Sequence, residues 1–443
     1  MRRAMTEEAV RTSSALTALV ADLTSALGAE AVTEEPAARK VASTDWAHMS
    51  PILAARLPAG LADVVAYPAD PEQIATAVHL AHQHGIPVTP RGQGTGNYGQ
   101  GIPLCDGLVV DTSRCNRVLE VGEGWVHAEA GTSFVAIESA ARKQDQEIAI
   151  LPSTVGSAIG GFLAGGSGGT GSIENGFIWD DYVSELRIAA CTDRPELVTV
   201  RGADCRPHLH AYGVTGVIAT ATVRLVPRRD WIGLLASFGD EASAVAAGRE
   251  LMRLDPLPRI LSVDEPAVVA TFPADPAIPL GRFSVRAVID RPTETAARAA
   301  VTAHGGVVED VRGNGAAYLA SLSFNHITHR ARKARPELCH LQIAGDAMIT
   351  RGEELRALLP DTMVHLDGFT MDRAEGPTFA GMLLCRFESA EKLYAGIERM
   401  RELGVQVDDP HTWLLGGDLT ATRAAARRFD PAGLLNPGKL PSE

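Results

Sequence analysis

Residues 90–101 read PRGQGTGNYGQG. Gly94, Gly96 and Gly99 satisfy the spacing G-x-G-x-x-G, with which a Rossmann βαβ unit meets a pyrophosphate. That reading requires a strand before the glycines and a helix directly after them, because the phosphate sits on the helix N-terminus. Ile86-Pro87-Val88-Thr89 supplies the strand. The helix is missing, since Gly99 is followed by Gln-Gly-Ile-Pro-Leu-Cys-Asp-Gly, which cannot start one. The helix lies ahead of the loop instead. Asp70 is its N-cap, Pro71 falls in the first turn, and it runs to His84 and stops at Gly85.

A second glycine-rich stretch spans residues 151–171, LPSTVGSAIGGFLAGGSGGTG. It holds another chance match, Gly166-Ser167-Gly168-Gly169-Thr170-Gly171, and again no helix is expected to follow. The Rossmann reading is set aside, but the glycine crowding still needs a cause. Glycine admits positive φ and lets the backbone approach a ligand closely. Successive N–H groups can then form an anion-binding nest. Two such loops, each after a strand in one β-rich region, argue against a pair of ordinary turns.

The rest of the chain narrows the class. With 443 residues, two domains are expected. Its 54 acidic and 41 basic residues give a net charge of −13, against the basic surface of a nucleic-acid-binding protein. No apolar run is long enough to span a bilayer. The N-terminal MRRAMTEEAV lacks the apolar core of a secretory signal, so a cytoplasmic protein is expected. Cys105, Cys115, Cys191, Cys205, Cys339 and Cys385 are far apart with no C-x-x-C, which reads as reduced thiols. Short β-rich runs at 108–111, 118–121 and 125–130 precede a helix at 133–144, a hairpin at 184–200 and a strand ended by Pro227. Composition changes at Pro227-Arg228-Arg229-Asp230, where a domain boundary is placed. Residues 34–60 read as irregular.

The arrangement resembles the FAD-binding domain (the PCMH-type domain) of the vanillyl-alcohol oxidase / p-cresol methylhydroxylase flavoprotein family. Four pieces carry the resemblance in order: Tyr67-Pro68 with Asp70-Pro71-Glu72-Gln73-Ile74; the loop Ile86 to Thr95; Ile159-Gly160-Gly161 with Gly165-Gly166-Ser167-Gly168; and Tyr212-Gly213-Val214-Thr215-Gly216-Val217-Ile218. The C-terminal Phe429–Lys439, with its DP and LNPGK elements, agrees as well. The resemblance implies an α+β fold. An FAD domain would comprise residues 1–228 (core 60–228), a cap or substrate domain 229–410, and a tail 411–443 returning to the FAD domain.

It implies further that Arg91, Gly92, Gln93, Gly94, Thr95, Gly96 and Asn97 cradle the FAD pyrophosphate. Pro152, Ser153, Thr154, Gly160, Gly161, Gly165, Gly166, Ser167 and Gly168 would line the isoalloxazine and ribityl chain. Val217 and Ile218 would meet FAD through the backbone, and Asn436 and Lys439 would return toward the flavin. Members with covalent FAD often carry His in the first loop, where this chain has Thr95, so dissociable FAD is expected. Cys105 or a distant histidine is the remaining route to a link. Ser167, bulkier than glycine near the reactive edge, leans toward poor oxygen access.

For the chemistry, Tyr318-Leu-Ala-Ser-Leu-Ser-Phe-Asn325-His326-Ile-Thr328-His329-Arg330 is the candidate stretch, polar residues after a strand-like run. His326 would be the general base, with Asn325 beside it, and Arg330, Arg332 or Lys333 would hold a carboxylate. The competing reading is a helix start capped by Asn325 with solvated histidines. His365-Leu366-Asp367 is a weaker alternative for the base. His79, His82 and His84 read as exposed helix-end histidines, and Cys205, His208 and His210 as part of a surface helix. The G-D-G-N-like stretch that accompanies a metal cluster in D-type hydroxyacid dehydrogenases is lacking, so no metal is expected. The expected reaction is oxidation of an alcohol or hydroxy acid by hydride transfer to flavin N5. Electrons then pass to oxygen or another acceptor, and the partners are small molecules rather than nucleic acid. A flavin-binding electron-transfer or partner subunit is the alternative.

Overall fold

The structure is a computed structural model and describes residues 2–442, with side chains described from residue 13 onward. A long helix, Arg2–Leu27, buries Leu19, Leu23 and Leu27 against Ile74, Val78 and Ala81 of the helix Pro71–His84. That second helix starts as its sequence dictates: Asp70 Oδ1 accepts from the Gln73 N–H at 2.8 Å, and Gly85 ends it at φ 64°. Behind it lies a four-stranded sheet in the order Val32–Thr33, Val64–Ala66, Leu108–Asp111, Val88–Arg91, the last three parallel. The first glycine loop leaves the carboxyl end of Val88–Arg91, where open parallel sheets place ligands.

A second sheet is antiparallel and built around the long strand Val217–Pro227. That strand pairs with Trp125–Glu129, Val183–Ala190 and Gln146–Ile148. The third is an eight-stranded antiparallel sheet spanning Trp231–Phe238 to Gln406–Asp408. The two faces of this sheet differ by the period-two alternation of strands. Leu261, Val263, Val285, Ala287, Val364 and Leu366 point to one side and form the largest core with the helices Glu241–Leu251, Glu294–Ala303 and Ala390–Glu402. The intervening Ser262, Asp264, Arg286, His340, His365 and Asp367 are also buried, on the side of the glycine loops.

Three local expectations need correction. The second glycine stretch contains a helix, Ile159–Gly165, and a short one, Ser172–Asn175, does follow Gly171. Burial of Ile159, Phe162 and Leu163 at helical spacing overrides the poor propensity of the glycines. The run at 318–324 is not strand-like: Ala316–Ala320 and Asn325–Ala334 are helices, with Leu319, Leu322 and Ile327 buried at helical intervals. Residues 34–60 are ordered by caps, since Asp45 Oδ1 accepts from Ala47 N–H and Ser50 Oγ from Leu53 N–H.

Candidate functional site

A cavity of about 1630 Å³ lies where the two glycine loops face the third sheet. Every residue from Arg91 to Asn97 lines it. So do Pro152, Ser153, Thr154, Gly160, Gly161, Gly165, Gly166, Ser167, Gly168, Val217 and Ile218. The cradle is one that only glycines leave open. A Cβ on Gly161 would meet nothing closer than Gly92 Cα at 3.9 Å, and one on Gly165 only the end of Gln100, so both would project into the cavity. Gly94 and Gly99 have φ 65° and 81°, turning the first loop so that its backbone faces inward. The two loops are tied by a hydroxyl chain, Thr95 Oγ1 to Ser157 Oγ to Thr154 Oγ1, each step 2.8 Å. A dinucleotide such as FAD fits a site of this size and backbone exposure.

Three expected contacts prove indirect. Arg91 folds back, donating to the carbonyls of Ala42 and Thr44, and overlies Gly94, so it braces the loop. Asn436 and Lys439 are fully buried and do not line the cavity. Asn436 Nδ2 donates to the carbonyls of Gln100 and Tyr212, and Lys439 Nζ to that of Gly99. Burial lowers the Lys439 pKa to about 7, partly offset by Asp45. The turn that delivers both residues is held by Asp430, which accepts from the N–H groups of Leu434 and Leu435. Cys105 is exposed and lies outside the cavity lining.

On the opposite wall, the helix Asn325–Ala334 presents Asn325, His326, His329, Arg332 and Lys333 to the cavity. At 100° per residue these positions fall within about a third of the helix circumference. His326 Nδ1 lies 3.3 Å from the Ala320 carbonyl, so Nδ1 carries the proton and Nε2 keeps its lone pair. Burial, then nearby Arg330, lowers its pKa, so the ring is neutral near pH 7. Arg330 itself turns away: its guanidinium donates to the Ser321 carbonyl and hydroxyl, and it does not line the cavity. Arg332, like Lys333, lines the cavity. Its Nε and Nη1 are buried and have no partner among the described residues, an arrangement that costs stability.

The sequence assigns no individual role to several residues of the site. Tyr98, within the opening loop, places its hydroxyl 3.2 Å from His340 Nε2 and 3.3 Å from Asn325 Nδ2, and burial raises its pKa well above 10. His329 Nε2 lies 3.2 Å from Asn97 Oδ1, and burial pushes its pKa down to about 4. Trp46 packs edge-on to His329. Phe177, Trp179, Phe369 and Phe324 form an aromatic wall. Of the other histidines, His79 and His208 are buried rather than exposed, His208 against Thr215 with its pKa lowered to about 4 by burial. His365 is fully buried, but its neighbour Asp367 reaches the cavity. Among the described residues no group of three or more His, Cys, Asp or Glu side chains is placed to hold a metal, and no helix is long and apolar enough to cross a membrane.

Comparison with known proteins points to the same cofactor. Residues 62–194 match the family of FAD binding domains. An uncharacterised FAD-linked oxidoreductase of Mycobacterium tuberculosis is 26% identical over 46% of this chain and 47% of its own length. The aligned part is thus about half of that relative. Glycolate oxidase subunit GlcD of Bacillus subtilis is 24% identical over 85% of this chain and 88% of its own. D-lactate dehydrogenase of Archaeoglobus fulgidus is 26% identical over 43% and 45%. Among solved structures, alkyldihydroxyacetonephosphate synthase superposes with a TM-score of 0.76 at 16% identity, covering 95% of this chain and 84% of that one. This likeness speaks to the fold alone.

Proposed function

We propose, for a chain that belongs to the FAD-linked oxidases with a PCMH-type FAD domain, that it oxidises the CH–OH group of a small hydroxy acid. The observation that carries this reading is Arg332, a guanidinium that lines the cavity on the same wall as His326 and whose Nε and Nη1 have no partner among the described residues. A neutral alcohol would leave that charge uncompensated, whereas a carboxylate satisfies it.

The residues Gly92 to Asn97, Pro152 to Thr154, Gly160, Gly161 and Gly165 to Gly168 would hold FAD, which supplies the two-electron acceptor for the substrate C–H bond. Arg332 binds the carboxylate and fixes which end of the substrate enters first. His326 takes the hydroxyl proton at Nε2, and the Ala320 carbonyl stabilises the imidazolium through Nδ1–H. Asn325 and Tyr98, mutually hydrogen-bonded, narrow the space beside His326. The aromatic wall excludes water from the reacting face. Support for a hydroxy acid also comes from relatives named for glycolate and D-lactate.

The test is anaerobic mixing of the yellow protein with a panel of 2-hydroxy acids and of matched alcohols lacking the carboxylate. Bleaching by a hydroxy acid and not by its matched alcohol is expected. Absence of bleaching across both panels would contradict the reading and favour a flavin-binding partner subunit.

A further inference from the structure

We propose that the buried cluster of Asp264, Arg286, His365 and Asp367 positions the proton-accepting histidine, with Asp367 as the positioning residue that acts through Phe324. The inference rests on the reading of His326 above.

Strand alternation brings the four side chains to one face of the third sheet, each at most 2% exposed. His365 sits between two carboxylates, Nδ1 2.7 Å from Asp264 Oδ1 and Nε2 2.7 Å from Asp367 Oδ2. Arg286 pairs with the second oxygen of Asp264. Besides the bond from Arg286 Nη1 to Ser284 Oγ, the cluster's outward side-chain links converge on one segment. Arg286 Nη2 donates to the Leu322 carbonyl at 2.8 Å. Ser262, which donates to Asp367, lies 2.8 Å from the Ser323 hydroxyl. Phe324 N–H donates to Asp367 Oδ2 at 2.9 Å.

That segment joins Ala320 to Asn325. It carries the carbonyl that orients His326 at one end and the start of the His326 helix at the other. Phe324 has φ 54°, a left-handed conformation that a bulky residue adopts only under constraint, and the Asp367 contact supplies one. Both Asp367 oxygens are already engaged, so it is a poor proton acceptor itself despite reaching the cavity. Buried ion networks add little net stability compared with apolar packing. Orientation is the use this one is built for.

The test compares the FAD-loaded wild type with Asp367→Ala, Asp367→Asn, Ser262→Ala and His326→Gln. Hydrogen exchange needs no substrate. In Asp367→Ala, amides 321–329 should exchange about tenfold faster, while the strands Ile260–Asp264 and Phe283–Asp290 stay protected. Ser262→Ala should show the same change more weakly, and serves if Asp367→Ala does not fold. Asp367→Asn, which keeps an acceptor for Phe324 N–H, should stay near wild type. With a hydroxy acid that bleaches the flavin, Asp367→Ala should lower the limiting reduction rate about tenfold to a hundredfold with little change in half-saturation. That loss should vanish in the His326→Gln background. Unchanged exchange at 321–329 in both Asp367→Ala and Ser262→Ala overturns the positioning role. Full activity of His326→Gln overturns the base assignment instead, so the two failures are distinct.

Discussion

His329 Nε2 lies 3.2 Å from Asn97 Oδ1, joining the helix that carries His326 to the glycine loop on the other wall of the cavity. The contact crosses from the third sheet's side to the first sheet's side, so it ties the helix to the conformation of the loop. His329→Ala is predicted to cost about 1 kcal/mol of stability and to raise the FAD dissociation constant severalfold. Denaturant titrations of apo and FAD-loaded protein would check this. Equal loss in both would show that the contact is indifferent to the flavin.

The acid limb of stability follows from His208 and His329, both pushed down to about 4 by burial. Each is protonated in the unfolded chain below about 6.5 but not in the folded one until about pH 4. The unfolded state therefore binds more protons in that window, and stability falls as pH drops through it. His208→Gln should flatten this limb by on the order of 1–3 kcal/mol between pH 6.5 and 4. An unchanged slope would show that His208 does not carry it.

Gly161 and Gly171 should behave oppositely. A side chain at Gly161 enters the cavity and meets no protein atom within 3.8 Å. Gly161→Val is thus predicted to purify colourless with an apo melting temperature near wild type. Gly171 has φ 95°, and its Cβ would strike the Ala149 carbonyl. Gly171→Val is predicted to lower stability by about 3 kcal/mol or more, whatever the flavin content. Absorbance near the flavin bands and thermal melts separate the two.

Thr95 has no chemistry for a flavin link, and its hydroxyl is engaged with Ser157. Acid precipitation is expected to release all flavin to the supernatant. Colour retained in the pellet would point to another residue as the attachment site.

These predictions draw on two kinds of information, and only one was legible in the sequence. Local signals read well: the Asp70 cap, the Gly85 stop, the hairpin 184–200 and both glycine loops are written in contiguous residues. The cavity's other wall is assembled from contacts across more than 200 positions, such as Tyr98 with Asn325 and His340. No local pattern specifies such pairs. The helix Ile159–Gly165 is not legible locally, because propensity argues against it and burial of Ile159, Phe162 and Leu163 decides. Arg330 and Arg332 are alike in sequence, but one faces Ser321 and the other the cavity, a difference only helix phase sets.

In the proposed reaction Arg332 binds the carboxylate of a hydroxy acid whose hydroxyl proton His326 accepts. Anaerobic stopped-flow reduction by a hydroxy acid that bleaches the flavin, compared in wild type and Arg332→Met, tests it most directly. Arg332→Met is expected to raise half-saturation about a hundredfold or more while still binding FAD, as for loss of a charged hydrogen bond worth about 3 kcal/mol. Reduction by Arg332→Met with wild-type saturation and rate would contradict it.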